Sequence, residues 1–145
     1  MSEQINLSFT ISTTDYSVPL GIRVSLDRNV IYEDTHVLDR THVEYPMSDE
    51  DSEHELIFEM FGKSHEHTKI DNAGNIVSDA VLTIADVEID GINIDYLIQT
   101  LAVYRHDFNG TQAATEEKYY GTMGCNGTVQ FNFTSPIYLW FLENM

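Results

Sequence analysis

Basic side chains are scarce in this chain. Lys and Arg total 7 against 24 Asp and Glu, a formal net charge of −17 over 145 residues. So acidic a surface repels phosphate backbones and anionic lipid heads, which argues against nucleic-acid binding and electrostatic membrane docking. Cysteine is scarcer still. Cys125 stands alone, so no internal disulfide staples the fold and packing must hold it. No apolar run approaches the roughly 18 residues of a membrane-spanning helix. Met1-Ser2-Glu3-Gln4 lacks a basic stretch leading into an apolar one, so no secretory signal is expected and the chain reads as soluble. A Gly-rich phosphate loop, a Gly-x-Ser-x-Gly elbow and a long internal repeat are also missing. Helical periodicity sustained over ten residues is absent as well.

What is present is alternation. Leu7, Phe9 and Ile11 are separated by Ser8 and Thr10. Leu20, Ile22, Val24 and Leu26 repeat every second residue, as do Leu56, Phe58 and Met60, and Val129, Phe131 and Phe133. A period of two gives a strand one inward and one outward face. The segment from Ile76 to Ile94 reads the same way. Val81, Thr83, Ala85, Val87 and Ile89 share one face; Leu82, Ile84, Asp86 and Glu88 share the other. Turn signals punctuate these runs at Asp71-Asn72-Ala73-Gly74-Asn75, Asp90-Gly91, Asn109-Gly110 and Asn126-Gly127. Asp-Gly suits a two-residue hairpin because both of its residues accept positive φ. A hydrophobic content of 42%, with 11% aromatic residues, supports one folded domain over residues 1–145. The expected fold is all-β: a jelly-roll-like β-sandwich of about eight strands, with a short closing helix or strand at the C-terminus.

Three stretches depart from this pattern. Ser48 to Glu55 is acidic and reads as an exposed loop with its tip near Asp49. Thr35-His36-Val37 and Thr41-His42-Val43 either lie on one strand or flank a turn at Leu38-Asp39-Arg40. Pro136 to Leu142 is almost wholly apolar. Ser135 and Pro136 suit an N-cap and first helical position there. That segment must be covered by its own core or by a second subunit. An exposed patch around Ile137, Trp140 and Phe141 would mark a homo-oligomer.

Two clusters are candidates for metal chemistry. Asp71, Asp79, Asp86, Glu88 and Asp90, with Asp95, lie between Lys69 and Arg105 without one basic residue. Calcium wants several oxygen ligands and accepts loop carbonyls and amides, so it is the one cofactor the acidic cluster suggests. No EF-hand is present: with Gly74 in the glycine position, Lys69 and Ala80 fall on the first and last ligand positions. The other cluster is His65-Glu66-His67, with Asp71 and, downstream, His106. Imidazoles at i and i+2 on a strand suit zinc, iron, copper or nickel. Exposed aromatics beside amides and acids form sugar platforms. Tyr119 and Tyr120 point to opposite faces if they lie in a strand, so one of them is a candidate ligand contact. Cys125 with His106 makes a poor nucleophile pair because no family signature surrounds it.

Three resemblances bear on these residues. His65-x-His67 followed by Asp71 resembles the first motif of the cupins. That would imply a barrel metalloenzyme, although Asp71 stands where the motif has Glu and the second motif's Pro-x-Gly is missing. The stretches from His67-Thr68 through Asp90-Gly91-Ile92, and from Tyr120-Gly121-Thr122-Met123-Gly124-Cys125-Asn126-Gly127 through Leu142-Glu143-Asn144, resemble small β-sandwich proteins of tailed marine phages that infect cyanobacteria. That likeness implies a viral context, with a place in the virion or the host cytoplasm and glycans or virion proteins as partners. In overall plan the chain is similar to calcium-dependent carbohydrate-binding modules of jelly-roll fold, a likeness of architecture that transfers no binding residue. The expectation is a non-enzymatic binding or assembly module, with a cupin-like metalloenzyme as the alternative.

Overall fold

The computed structural model describes residues 4–38, 40–50, 52–63, 68–70, 72–73, 76–106 and 113–144; over 68–70 and 76–79 it describes the backbone. The strands are β1 (Gln4–Thr13), β2 (Gly21–Leu26), β3 (Asn29–Asp34), β4 (Thr41–Ser48), β5 (Ser52–Phe61), β6 (Thr68–Ile70), β7 (Ile76–Asp79), β8 (Leu82–Ile89), β9 (Ile92–Asn93), β10 (Val103–His106), β11 (Thr115–Lys118), β12 (Thr122–Met123) and β13 (Gly127–Ser135). Two helices, α1 (Asp95–Leu101) and α2 (Ile137–Asn144), complete the described elements.

The architecture is the expected all-β sandwich. One sheet has the order β12-β8-β1-β4, with β9 paired to β8. The other has the order β11-β10-β13-β5-β2-β3, and β6 pairs β7 separately. The chain crosses repeatedly between the two large sheets, as in a jelly roll. Their inner faces carry the alternating residues read from the sequence: Leu7, Phe9 and Ile11 oppose Ile22, Val24, Leu56, Phe58, Val129 and Phe131, all buried. Phe9 meets Phe58 edge-to-face at 5.3 Å between ring centroids, a favoured aromatic geometry. The strand count exceeds eight because β9 and β12 are two-residue ladders, β6 has three residues, and β7, β10 and β11 have four. Propensity does not register segments so short.

The Asp90-Gly91 turn joins β8 to β9 as expected, with φ of 53° and 80° and Ile89 paired to Ile92. The facing of β8 differs from a strict period of two. Leu82 and Ile84 are buried, and so are Val87 and Ile89. A bulge resets the phase: Ser8 pairs Glu88 and Thr10 pairs Ala85, so Asp86 and Val87 together oppose Phe9. Asp86 takes a left-handed φ of 52°, the conformation that lets a strand absorb an extra residue.

The acidic stretch from Ser48 to Glu55 is mostly strand, not loop, because β4 runs to Ser48 and β5 begins at Ser52. Asp49 is half-buried, and its Oδ1 accepts from the Ile137 N–H at 2.8 Å. It therefore caps α2 from a distant part of the chain, in the position expected of Ser135. His36 and His42 are separated by a connection between the sheets, since β3 ends at Asp34 and β4 starts at Thr41. Ile137, Trp140 and Phe141 are buried against the chain's own core. The exposed patch expected of an oligomer is therefore not at those residues; α2 instead exposes Tyr138, Leu139 and Leu142. Neither described helix is long and apolar enough to cross a membrane.

Candidate functional site

The outer face of the six-stranded sheet carries a polar surface whose order follows from register. Glu116 pairs Arg105, Arg105 pairs Thr128, Thr128 pairs Glu59, Glu59 pairs Arg23 and Arg23 pairs Glu33. These six residues form one row across all six strands. Its cations are already matched. Arg105 binds Glu116. Arg23 reaches Glu33 at 2.7 Å and Glu59 at 2.8 Å, and its guanidinium lies 5.3 Å from the Phe61 ring centre. Along β13 the outward residues are Thr128, Gln130, Asn132 and Thr134, while Val129, Phe131, Phe133 and Ser135 turn inward. The Gln130 amide donates to Glu55 Oε2 at 3.2 Å and to Asn132 Oδ1 at 3.3 Å.

β10 pairs β13 only from Gly127 to Gln130. Gly127 admits this approach because it has no Cβ; one there would lie 2.1 Å from the Arg105 carbonyl oxygen. Beyond Gln130 the β13 edge is met by α2, which packs on it. The Trp140 indole lies edge-to-face on Phe131 at 5.7 Å and on Phe133 at 6.2 Å. Trp140 also borders a cleft of about 390 Å³ with Leu101, Val103, Arg105, Glu116, Thr128, Gln130, Asn132 and Asn144. Three further depressions adjoin it. One shares Arg105 and Thr128 and reaches Glu59 and Phe61. Another shares Asn132 and Trp140 and takes in Glu53 and Glu55. The last shares Glu53, Thr134 and Trp140 with that one and ends at Leu139 and Glu143. Together they make a groove of amides, carboxylates and one indole. Such a groove offers hydrogen-bond acceptors and donors to hydroxyls, and its exposed apolar surface comes from Leu101 and Val103 beside the largely buried indole.

Of the residues singled out from the sequence, His106 borders the groove, in the depression with Glu59 and Phe61; among the described residues the other metal candidates do not line it. His65, His67 and Asp71 are outside the described residues, and of Asp79 only the backbone is described, paired to Thr68. Asp86 forms an ion pair with Arg40 at 3.3 Å. Glu88 is half-buried on β8 opposite Ser8 and Asn93. Asp90 accepts from the Tyr138 hydroxyl, and that bond holds the phenol above its ordinary pKa. Asp95 turns its carboxylate to the bulge, accepting from the Asp86 N–H at 3.0 Å and the Val87 N–H at 2.8 Å. Among the described residues no group of three or more His, Cys, Asp or Glu is placed to hold a metal ion. His106 is buried, lies tilted against Tyr104 with ring centroids 4.6 Å apart, and reaches Glu117 at 2.8 Å.

Tyr119 and Tyr120 do point opposite ways. Tyr119 is 1% exposed and belongs to the core, so it is not a ligand contact. Burial pushes its phenol pKa up. Tyr120 is 71% exposed, with the Lys118 ammonium 5.6 Å from its ring centre.

Sequence reasoning also passed over a Ser-His-Asp arrangement. His54 Nδ1 lies 2.7 Å from Asp27 Oδ2, and His54 Nε2 lies 2.8 Å from Ser135 Oγ and 3.3 Å from Ser52 Oγ. Asp27 Oδ1 accepts from the Glu55 N–H at 2.8 Å. With the ring proton on Nδ1, facing the carboxylate, Nε2 accepts from the serine hydroxyl; this tautomer is assigned from the network. The spacing is that of a nucleophile, base and orienting acid. The placement is not. Ser135 is 3% exposed and His54 8%. Both face the sandwich interior, while the groove residues Glu53, Glu55, Asn132 and Thr134 face outward. The relay therefore joins the β2–β3 turn, β5 and β13; His54 and Ser135 are almost wholly buried, although His54 borders one depression and Ser135, with the exposed Ser52, borders its neighbour.

No family model and no curated protein matches the chain. Among solved structures it is similar to "vCBM60 in complex with galactobiose", with 10% identity over 90% of this chain and 99% of that one and a TM-score of 0.47. It is also similar to the SeMet form of vCBM60, whose title reads "Circular permutation provides an evolutionary link between two families of calcium-dependent carbohydrate binding modules". That match has 8% identity over 88% of this chain and 89% of the other, with a TM-score of 0.48.

Proposed function

We propose that this chain is a non-enzymatic carbohydrate-binding module whose ligand lies in the groove beside Trp140. The observation that carries the reading is the convergence of Gln130, Asn132, Asn144, Arg105 and Glu116 on one cleft beside an indole. The amides supply donors and acceptors together, as a polyhydroxylated ligand requires. Gln130 is held in place by Glu55 and Asn132, so little side-chain entropy is lost when a ligand binds. The near-complete burial of Ser135 and His54, 3% and 8% exposed, supports a binding role over a hydrolytic one.

Calcium enters as a dependence to test, on Asp71, Asp79, Asp86, Glu88 and Asp90. A phage setting, with a host-surface glycan or a virion protein as partner, belongs to the same proposal and rests on the sequence resemblance alone. Binding to immobilised glycans, followed by calorimetry, tests the reading. Gln130→Ala and Asn132→Ala should each weaken binding roughly tenfold, the loss of about one good hydrogen bond. Both side chains are exposed, so the thermal midpoint should hold. An absence of binding to any glycan would sink the reading. Thermal unfolding in chelator and then in millimolar calcium decides the ion separately: a ligand at a hundredfold excess over Kd adds about 2.7 kcal/mol. No shift would remove calcium and leave the groove.

A further inference from the structure

The groove is strongly biased in charge. Its described lining carries five carboxylates, Glu53, Glu55, Glu59, Glu116 and Glu143, against the single guanidinium of Arg105. Arg105 is already bound to Glu116, so it has little field left for an incoming anion. In a partly desolvated groove such fields act at lower effective dielectric than in water, and the net charge of −17 adds to them. The shape is equally specific. Each of the four depressions measures between 320 and 410 Å³. None is a closed cavity, and each shares lining residues with the next. A ligand that fills them is a chain rather than a single ring.

We infer that the groove takes an uncharged glycan chain several sugars long and rejects chains bearing uronate or sulfate. This rests on the carbohydrate-binding reading above. Neutral hydroxyls donate to the carboxylates and accept from the Gln130 and Asn132 amides without bringing like charges together. An anionic chain would place its charges against Glu53, Glu55 and Glu143, with no unmatched Lys or Arg among the described lining residues to answer them.

The test uses the whole protein. Probes are galacto-, xylo-, manno- and gluco-configured di-, tetra- and hexasaccharides, with oligogalacturonates of the same lengths, measured by calorimetry at low and at physiological salt. Expected is binding to at least one neutral series, with affinity rising about tenfold or more from disaccharide to hexasaccharide. Oligogalacturonates should bind at least about tenfold more weakly at low salt, and the gap should narrow as salt screens the groove. The double variant Glu53→Gln, Glu143→Gln should raise oligogalacturonate affinity at low salt. Both residues are exposed, so an unchanged thermal midpoint shows that folding is not the cause. Oligogalacturonates binding as well as neutral chains, or a disaccharide binding as tightly as a hexasaccharide, would overturn the inference and leave the module reading in place. Failure of every probe would overturn the module reading itself.

Discussion

Asp27 shows how much one residue can hold. It sits at φ 52° in the turn between β2 and β3, a conformation Asp accepts more readily than most residues. From there one carboxylate oxygen takes the Glu55 N–H and the other faces His54. His54 in turn reaches Ser135, 81 positions along the chain. Without Ser135 the buried imidazole keeps only the longer 3.3 Å contact to Ser52, and a poorly made buried hydrogen bond costs free energy. Ser135→Ala should therefore lower unfolding free energy by about 1–2 kcal/mol, read as a reduced urea midpoint at unchanged m-value. Glycan affinity should change little, because Ser135 is only 3% exposed where it borders the last depression. A loss of binding at unchanged stability would show that the relay acts on the ligand.

At the scale of elements, the bulge in β8 decides which residues line the core. Asp95, at the start of α1, accepts from both N–H groups of the bulge, so a helix start and a strand irregularity stabilise each other. Asp95→Ala should cost roughly 2–3 kcal/mol, because two hydrogen bonds to a charged acceptor go together. Asp86→Gly should cost much less. Glycine adopts positive φ without strain, and the ion pair to Arg40 that it loses is exposed, a class worth about 1 kcal/mol or less. Comparing the two variants by chemical denaturation separates the capping of the bulge from its ion pair; equal losses would refute the capping role. Capping across distance recurs at α2, where Asp49 answers the first helical N–H.

For the whole molecule, burial sets the alkaline limit. Tyr104 and Tyr119 both have phenol pKa values raised mainly by desolvation. Their protonated forms are the ones the folded state keeps. Above about pH 10, the ordinary phenol value, the unfolded chain releases protons that the folded chain still holds. Stability from these groups is thus complete below about pH 10 and falls as pH rises beyond it. Denaturation midpoints from neutral pH to about pH 9 should carry no tyrosine slope and should then drop. Tyr119→Phe should flatten the drop. A profile as steep in that variant as in the parent would show that the phenol is not its source.

The sequence by itself determined the sandwich. Alternation at Leu7, Phe9 and Ile11, at Leu56, Phe58 and Met60, and at Val129, Phe131 and Phe133 set the inward faces, because a strand has no other way to bury every second side chain. Asp90-Gly91 set a hairpin, since few pairs accept positive φ twice. The excess of carboxylates set the sign of the surface. Tertiary structure decided what those elements do together. Period two marks Gln130 and Asn132 as outward but is silent on which strand lies beside them. Only register brings Glu116, Arg105, Thr128, Glu59 and Arg23 into one row, and only the early end of β10 gives Trp140 an edge to fill. The same limit hid the Asp86 bulge, which costs one residue of phase and leaves no mark in hydropathy. It hid the Asp27–His54–Ser135 relay as well, whose members are local to nothing but each other. Hydrophobic periodicity is a property of neighbours along the chain, whereas a binding groove is a property of neighbours across it.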